Sequence, residues 1–221
     1  MNQKIKIAVI GGGGRTGRCL VNQLLDRGFY VKLLLRNPEN FHLNFSDKSD
    51  LIEVIQGDVL DYKAVKFLVA DCNAVISTVG QRPGEPLVAS QATTNILKAI
   101  KENEEFSLVK QRYILVAGLN VTTPLDKKST ETLAATEWMK TNFPEIHEDR
   151  QKAYAILENS DADWTLVRVP FIEFTNERSR GGVSLENSPG QKISAADIAN
   201  FLIDQITDQT YIRKAPFIAN I

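Results

Sequence analysis

Residues that form disulfides or bind metals are scarce in this chain. Its 221 residues include two cysteines and two histidines. Cys19 and Cys72 stand far apart without a CxxC pair, and neither His42 nor His147 has a second His or Cys at the spacing of metal ligands. The sequence therefore predicts neither a disulfide framework nor a zinc site.

Long apolar runs and an excess of one charge are also missing. The formal net charge is -1, which gives no electrostatic reason to expect nucleic acid or an acidic membrane surface as a partner. No apolar stretch approaches the roughly 20 residues that cross a bilayer, and the first residues lead into a strand pattern without the features of a cleavable signal. We therefore expect a cytoplasmic protein with a small-molecule partner; the sequence leaves its oligomeric state open.

What the chain does contain is a regular alternation of short β-branched runs and longer amphipathic segments. Alternation of this kind is typical of parallel strands joined by right-handed crossover helices. It predicts an α/β fold with a Rossmann-like, doubly wound parallel sheet, in one domain over 1–221 with a cofactor half of about 1–121 and a substrate region of about 122–221. The predicted strands are 4–10, 30–36, 51–58, 74–80, 112–119 and 164–170; the predicted helices are 16–27, 61–70, 86–102, 145–159 and 194–206, with a polar loop before 145.

The motif with the clearest chemistry is "GGGGRTG" at residues 11–17, between the first predicted strand and the first predicted helix. It matches GxGxxG from Gly12 and GxxGxxG from Gly11, and the residues alone leave this register open. Glycines here permit a tight turn and let a pyrophosphate lie on main-chain N–H groups at a helix N-terminus. We predict a dinucleotide site at the start of the helix that begins at Thr16; a glycine-rich turn without a ligand is the alternative.

The end of the second predicted strand bears on which dinucleotide is bound. Sites that prefer NAD usually carry an acidic residue there to accept from the ribose 2′-hydroxyl. This chain has "LLLRNP", and the guanidinium of Arg36 matches a 2′-phosphate instead. Arg15 is a second cation that could reach the same phosphate. We predict that NADP is preferred and that NAD is possible; a solvated surface arginine is the alternative for Arg36.

Together, several motifs resemble the atypical short-chain dehydrogenase/reductases, in the NAD(P)H-binding group that includes flavin reductase/biliverdin-IXβ reductase. The motifs are "VIGGGGRTG", "LLLRNP", "VIQGDVLD", "DAVISTVG", "DADWTLVRVPFI" and "ISAADIANFLI". The resemblance implies the register of Gly11, Gly14 and Gly17, adenine contacts from Asp58 and Val59, a ribose side formed by Thr78, Val79 and Gly80, and an approach of Pro170 and the two residues after it to the nicotinamide. A helix-capping role for Asp58 and a plain strand end at 78–80 stay open.

Catalytic residues are harder to place. Many short-chain dehydrogenases use Tyr-x-x-x-Lys to pass a proton, and the literal match from Tyr62 to Lys66 falls in the adenine half, where we interpret it as a surface helix. Tyr154 is the candidate proton donor, although Glu158 stands where the lysine would be. The flavin-reductase relatives are associated with a serine at the end of the fifth strand, and this chain has Ala117 and Gly118.

Other features receive plainer interpretations. Residues 148–150 are predicted to form a charged helix face with local pairing, and Trp138 and Trp164 to be core or pocket-edge aromatics. The segment 171–192 is either a lid over the substrate or a surface connection.

Three functions agree with these patterns. The first is an NADPH-dependent reductase of a flavin- or quinone-like acceptor, the second a non-enzymatic sensor of NAD(P), and the third an epimerase or dehydratase of nucleotide sugars. The third is disfavoured because the chain is short for a nucleotide-sugar lobe and has no Tyr-x-x-x-Lys at the catalytic position.

Overall fold

A mostly parallel β-sheet forms the centre of the computed structural model, which describes residues 5–41, 46–105, 110–175 and 177–221. Within these residues, eight strands lie in the order β3-β2-β1-β4-β5-β6-β10-β8, and β7 and β9 pair separately. The strands are β1 (Lys6–Ile10), β2 (Tyr30–Leu35), β3 (Ile52–Gln56), β4 (Ala74–Ser77), β5 (Arg112–Gly118), β6 (Asp163–Val169), β7 (Phe171–Glu173), β8 (Gly181–Ser184), β9 (Lys192–Ser194) and β10 (Phe217–Asn220).

Helices cover both faces of this sheet because its central strands are apolar on both sides. The helices are α1 (Arg15–Asp26), α2 (Tyr62–Val69), α3 (Ala89–Glu104), α4 (Thr130–Asn142), α5 (Pro144–Glu158) and α6 (Ala195–Asp204). Ile7 and Val9 point to the face covered by α1 and α6, whereas Ala8 and Ile10 point to the face covered by α2, α3 and α5. The predicted α/β, doubly wound, Rossmann-like fold is therefore confirmed.

The order of the strands reverses at β1, since β2 and β3 extend the sheet on one side and β4, β5 and β6 on the other. In open parallel sheets, ligands bind in the crevice outside the carboxyl ends of the strands at such a reversal. The glycine-rich turn follows β1 and therefore lies at this crevice.

The prediction of a polar loop before residue 145 was wrong, because α4 occupies much of that segment. Ser129 caps this helix by accepting a hydrogen bond from the N–H of Thr132 at 3.4 Å. The side chains that α4 buries include Thr132 and Thr136, while Leu133 and Trp138 are exposed. An apolar periodicity was therefore absent from the sequence.

The segment 171–192 also contains more regular structure than expected. Its first residues form β7, which pairs in parallel with β9, and β8 pairs antiparallel with β10. These strands have three or four residues each, which is too short for a clear alternation of apolar and polar residues. They are defined by the strands with which they pair.

A buried ion pair holds the loop that follows β5 in place. Arg168 on β6 is fully buried and donates to Oδ1 of Asp126 at 2.7 Å and to the carbonyl oxygens of Val121 and Ala215 at 3.0 and 2.8 Å. Lys128 Nζ lies 3.5 Å from the other oxygen of Asp126. This cluster ties the loop after β5 to β6 and to the chain before β10.

Two sequence expectations concern membranes and metals. Among the described residues, no helix has both the length and the apolar character to cross a bilayer. The same residues hold no group of three or more His, Cys, Asp or Glu side chains placed to bind a metal ion. His42, which the sequence places in a polar loop, lies outside the described residues.

Candidate functional site

The turn between β1 and α1 is sterically closed to side chains at two of its glycines. Gly11 has a φ of +82°, and a Cβ there would lie 2.8 Å from the main-chain carbon of Thr78 and the nitrogen of Val79. A Cβ on Gly17 would lie 2.1 Å from the carbonyl oxygen of Gly11. Main-chain atoms make both contacts, so these positions require glycine for the fold of the turn itself.

Gly14 has a different role, as the N-cap of α1. A Cβ on Gly14 would lie 3.2 Å from the carbonyl oxygen of Gly11, a tighter contact than usual but not a forbidden one. Because this N-cap is a glycine, it has no side chain that could accept from the first N–H groups of α1. The first turn of α1 contains no acidic residue. An uncapped helix N-terminus of this kind favours an anionic oxygen, as a pyrophosphate would supply.

A groove of about 460 Å³ runs along this turn, and we call it the glycine groove. It brings together residues from the ends of four strands that lie far apart in the sequence. The predicted cofactor residues that line it are Gly11, Gly14, Arg15, Thr16, Gly17, Arg36, Asp58, Val59, Thr78, Val79 and Gly80.

Arg36 lies at this groove in a two-pronged ion pair. Its Nη1 and Nη2 atoms donate to Oε2 and Oε1 of Glu85 at 2.9 and 3.0 Å. This hydrogen bonding raises the pKa of Arg36 and lowers that of Glu85. Arg82 lies 3.8 Å from the same carboxylate. The carboxylate of Glu85 thus occupies the guanidinium fork of Arg36.

Two further groove residues have defined local contacts. Asp58 accepts a hydrogen bond from the N–H of Leu60 at 2.9 Å, whereas Asp61 caps α2, so the helix-capping alternative for Asp58 does not hold. The guanidinium of Arg15 stacks on Phe174 at 3.5 Å from the ring centre. Phe174 therefore forms part of the rim of the groove.

A second, largely apolar cavity of about 540 Å³ adjoins the glycine groove. We call it the apolar cavity. It contains Pro170, the predicted cofactor residue that does not line the groove. The residues common to both spaces are Thr16, Thr78, Val79, Gly80, Gln81, Val88 and Ile172; apolar walls come from Leu115, Val116, Trp138, Met139, Ile146 and Phe171.

A small polar cluster lies within these apolar walls, at the end of β5. Arg150 on α5 donates to Oδ1 of Asn120 at 3.2 Å, and the amide nitrogen of Asn120 lies 3.0 Å from Nδ1 of His147. Asn120 is buried, and burial lowers the pKa of both Arg150 and His147. A Cβ on Gly118 would lie 2.5 Å from Oδ1 of Asn120 and 3.0 Å from Nη1 of Arg150.

The predicted charged face at residues 148–150 was wrong for its second and third members. Asp149 is buried and accepts hydrogen bonds from the N–H groups of Ala89 and Ser90 at 2.7 and 3.3 Å, and also from the Ser90 hydroxyl. It thereby binds the N-terminus of α3, where a negative charge is stabilising. Both residues line the apolar cavity, where Asp149 is buried and Arg150 is half-buried.

The structure places Tyr154 away from both spaces. Its ring packs edge-on against Trp164 in the core, and its hydroxyl donates to Oε1 of Glu158 at 3.0 Å. Burial, together with Glu158, raises the pKa of Tyr154 to about 12. The residues of α5 that line the apolar cavity are Ile146, Asp149, Arg150 and Ala153. Tyr62 and Lys66 lie on α2, where Lys66 pairs with Glu102 at 2.6 Å, and they line neither space.

The aromatic predictions hold in detail. Trp164 is buried in the core, and Trp138 is exposed at the wall of the apolar cavity.

Glu85, Asn120 and Arg150 are site residues that sequence reasoning missed. Glu85 sits in "RPGEP", a turn sequence that carries no sign of a partner on β2. The single signal for the other two was the pair Ala117 and Gly118 at the end of the fifth strand, where the resemblance implied a serine; it suggested only that an expected group was absent. A glycine at the end of a central strand can also indicate that other side chains need the space.

Comparison with known proteins supports this reading of the fold. A family model described as NAD(P)H-binding matches residues 11–209. A short-chain dehydrogenase/reductase from Veillonella parvula, solved in complex with NADP, superposes with a TM-score of 0.81 at 15% identity, covering 99% of this chain and 95% of that one. A Streptococcus pneumoniae protein inferred to be an NADH-flavin reductase gives a TM-score of 0.72 at 19% identity, covering 98% and 100%.

Sequence relatives match a shorter part of the chain. An uncharacterized chloroplastic protein of Arabidopsis thaliana is 35% identical over 122 residues, which are 51% of this chain and 42% of that protein. A tobacco isoflavone reductase homolog is 34% identical over 107 residues, 46% of this chain and 33% of its own length. The chain thus spans less than half the length of these curated relatives. Since the family model matches residues 11–209, which are most of the chain, the protein belongs to the NAD(P)H-binding family.

Proposed function

We propose that this protein is an oxidoreductase that prefers NADPH and transfers hydride to a planar acceptor such as a flavin or a quinone. The observation that carries the proposal is the shared wall of the two spaces. Thr78, Val79 and Gly80 line both the glycine groove and the apolar cavity. A dinucleotide held at the glycine turn would reach this wall with its far end, and an aromatic acceptor fits the cavity beyond it.

The residues of the groove fit a dinucleotide. The N-terminus of α1 is open to a pyrophosphate, and the restricted glycines bring the backbone close to the same place. A bound nicotinamide would supply the hydride. The role of the protein would be to hold the nicotinamide ring and the acceptor ring in contact. Catalysis would then depend on proximity and orientation.

Preference for NADPH is supported by the cations at the far end of the groove. Arg36 presents a guanidinium fork and Arg82 lies close by. A 2′-phosphate would take the place of the Glu85 carboxylate on Arg36, and the two groups have the same charge sign and matching oxygen geometry. Glu85 is also the acidic residue of the groove nearest to Arg36. Its carboxylate could accept a hydrogen bond from the ribose 2′-hydroxyl of NADH.

The nature of the acceptor is supported by what lines the cavity. The walls of the cavity are mostly apolar. Tyr154 is not among the described residues that line it. Tyr113 does line the cavity, but it is buried and burial raises its pKa, so its proton is held firmly. Flavins and quinones need little acid catalysis during hydride transfer, unlike simple carbonyl groups. The Streptococcus pneumoniae neighbour inferred to be an NADH-flavin reductase supports a flavin-like acceptor.

The test is turnover of NADPH with a panel of flavins and quinones, followed by the loss of absorbance at 340 nm. We expect turnover with at least one acceptor and faster turnover with NADPH than with NADH. Binding of NADPH measured by calorimetry without turnover of any acceptor would favour the sensor instead. A preference for NADH would contradict the role of Arg36.

A further inference from the structure

We infer that Arg150 and Asn120 form an anion anchor in the apolar cavity, so that the acceptor carries a carboxylate, sulfonate or similar anionic oxygen on its aromatic ring. This inference rests on the proposed function for the identity of the cavity as the acceptor site. The anchor itself is defined by contacts of the described residues, and its binding test does not depend on turnover.

The first step is that the cavity contains a cation whose hydrogen-bond partner is neutral. In the described part of the chain, the hydrogen bond made by the Arg150 side chain runs to the amide oxygen of Asn120 at 3.2 Å. A guanidinium has five N–H donors, so most of its capacity is left over. Burial lowers the pKa of Arg150 and the charge of Asp149 raises it, but none of the hydrogen bonds of the described residues joins the two side chains, so an anionic oxygen could accept from the unused donors of Arg150.

The second step is that the nearest carboxylate is otherwise engaged. Asp149 precedes Arg150 in the sequence, but its oxygens accept from Ala89 and Ser90 at the start of α3. The charge of Asp149 therefore stabilises a helix terminus, and its hydrogen bonds are not available to Arg150. The guanidinium remains the cation that this end of the cavity offers to a ligand.

The third step is that the anchor is held in place. Asn120 is 1% exposed, and its amide nitrogen meets Nδ1 of His147 at 3.0 Å, which directs its oxygen toward Arg150. Gly118 makes the room, since even a methyl group there would collide with Asn120 and press on Arg150. Gly118 is thus the residue that allows this cluster to form.

The fourth step concerns the shape of the ligand. Trp138, Met139 and Ile146 provide apolar surface beside Arg150. A planar aromatic ring would bury its faces there and direct one anionic substituent to the guanidinium. Mostly apolar pockets with a few placed polar or charged groups select ligands by this combination.

The experiment compares two naphthalenes that differ in charge. Binding of 2-naphthoate and of 2-naphthalenemethanol to the protein alone is measured by calorimetry, for the wild type, Arg150→Gln and Arg150→Lys. We expect the wild type to prefer 2-naphthoate, and Arg150→Gln to weaken 2-naphthoate about tenfold to a hundredfold, as for loss of a charge-assisted hydrogen bond, while changing the alcohol less than about twofold. Arg150→Lys keeps the charge and should keep part of the preference.

Controls separate this result from a general loss of structure or of function. Arg27→Gln removes a surface guanidinium that pairs with Asp204 outside the cavity, and it should change neither ligand. The inference is overturned if the wild type binds both naphthalenes equally, or if Arg150→Gln weakens both by the same factor. If turnover is absent but 2-naphthoate binding depends on Arg150, the anchor stands and the proposed reductase function fails.

Kinetics provide a second readout. With 1,4-naphthoquinone and its 2-sulfonate as acceptors, Arg150→Gln should raise KM for the sulfonate about tenfold or more and leave KM for the neutral quinone within about twofold. Equal changes for both quinones would overturn the inference.

Discussion

Glu85 offers a direct test of cofactor recognition, because its carboxylate occupies the guanidinium that would bind a 2′-phosphate. The two hydrogen bonds of 2.9 and 3.0 Å must break before Arg36 can accept that phosphate. Glu85→Gln removes the competing charge with little change of shape. It should therefore tighten binding of NADPH and leave NADH, which lacks the phosphate, nearly unchanged.

The size of this effect follows from the exposure of the pair. The side chains of Arg36 and Glu85 are 43% and 38% exposed, so solvent screens their attraction. Exposed ion pairs typically shift an equilibrium by roughly one-and-a-half-fold to fivefold, and we expect the gain in NADPH affinity to fall in that range. Near 1 M salt, where the screening length is only about 3 Å, the gain should nearly vanish.

The assay is calorimetric titration of NADPH and NADH at low and high salt. Arg36→Ala should weaken NADPH about tenfold to a hundredfold and leave NADH nearly unchanged, and in that background Glu85→Gln should no longer improve NADPH binding. Glu186→Gln is the matched control, since Glu186 pairs with Lys127 at 2.7 Å and lines neither the groove nor the cavity. Unchanged or weaker NADPH binding by Glu85→Gln at low salt would refute the reasoning.

Three further predictions test other parts of the molecule. Gly14→Val places a side chain where the main chain should meet the pyrophosphate, so both cofactors should bind at least about tenfold more weakly by calorimetry; unchanged affinity in a folded variant would exclude the site. Tyr154→Phe should lower turnover of a quinone by less than about tenfold, below the range for a general acid, whereas a bulky residue at Gly80 should abolish it; a thousandfold loss in Tyr154→Phe with cofactor binding intact would restore Tyr154 as the proton donor. Asp126→Asn leaves the charge of the fully buried Arg168 without its counter-charge, and urea denaturation should show a loss of about 3–5 kcal/mol in the free energy of unfolding; a loss below about 1 kcal/mol would mean that the pair is not essential to the fold.

The sequence by itself determined the order of the main elements and the place of the glycine turn. Strands such as β1 and β4 are continuous apolar runs, and helices such as α1 carry an apolar face, so local patterns were sufficient. The turn at Gly11 to Gly17 was recognisable because main-chain crowding requires glycine there, and this requirement is local too.

Tertiary structure decided the rest of the site. Helix α4 was missed because its buried residues include threonines and its large apolar residues are exposed, and β8 and β10 because each of these short strands depends on a distant partner. Tyr154 and Arg150 are one turn apart on α5, and the packing of that helix decides that the tyrosine enters the core and the arginine the cavity. Glu85 and Arg36 meet across 49 positions of the chain. Contacts between residues far apart in sequence depend on the packing of whole elements, which no local pattern encodes.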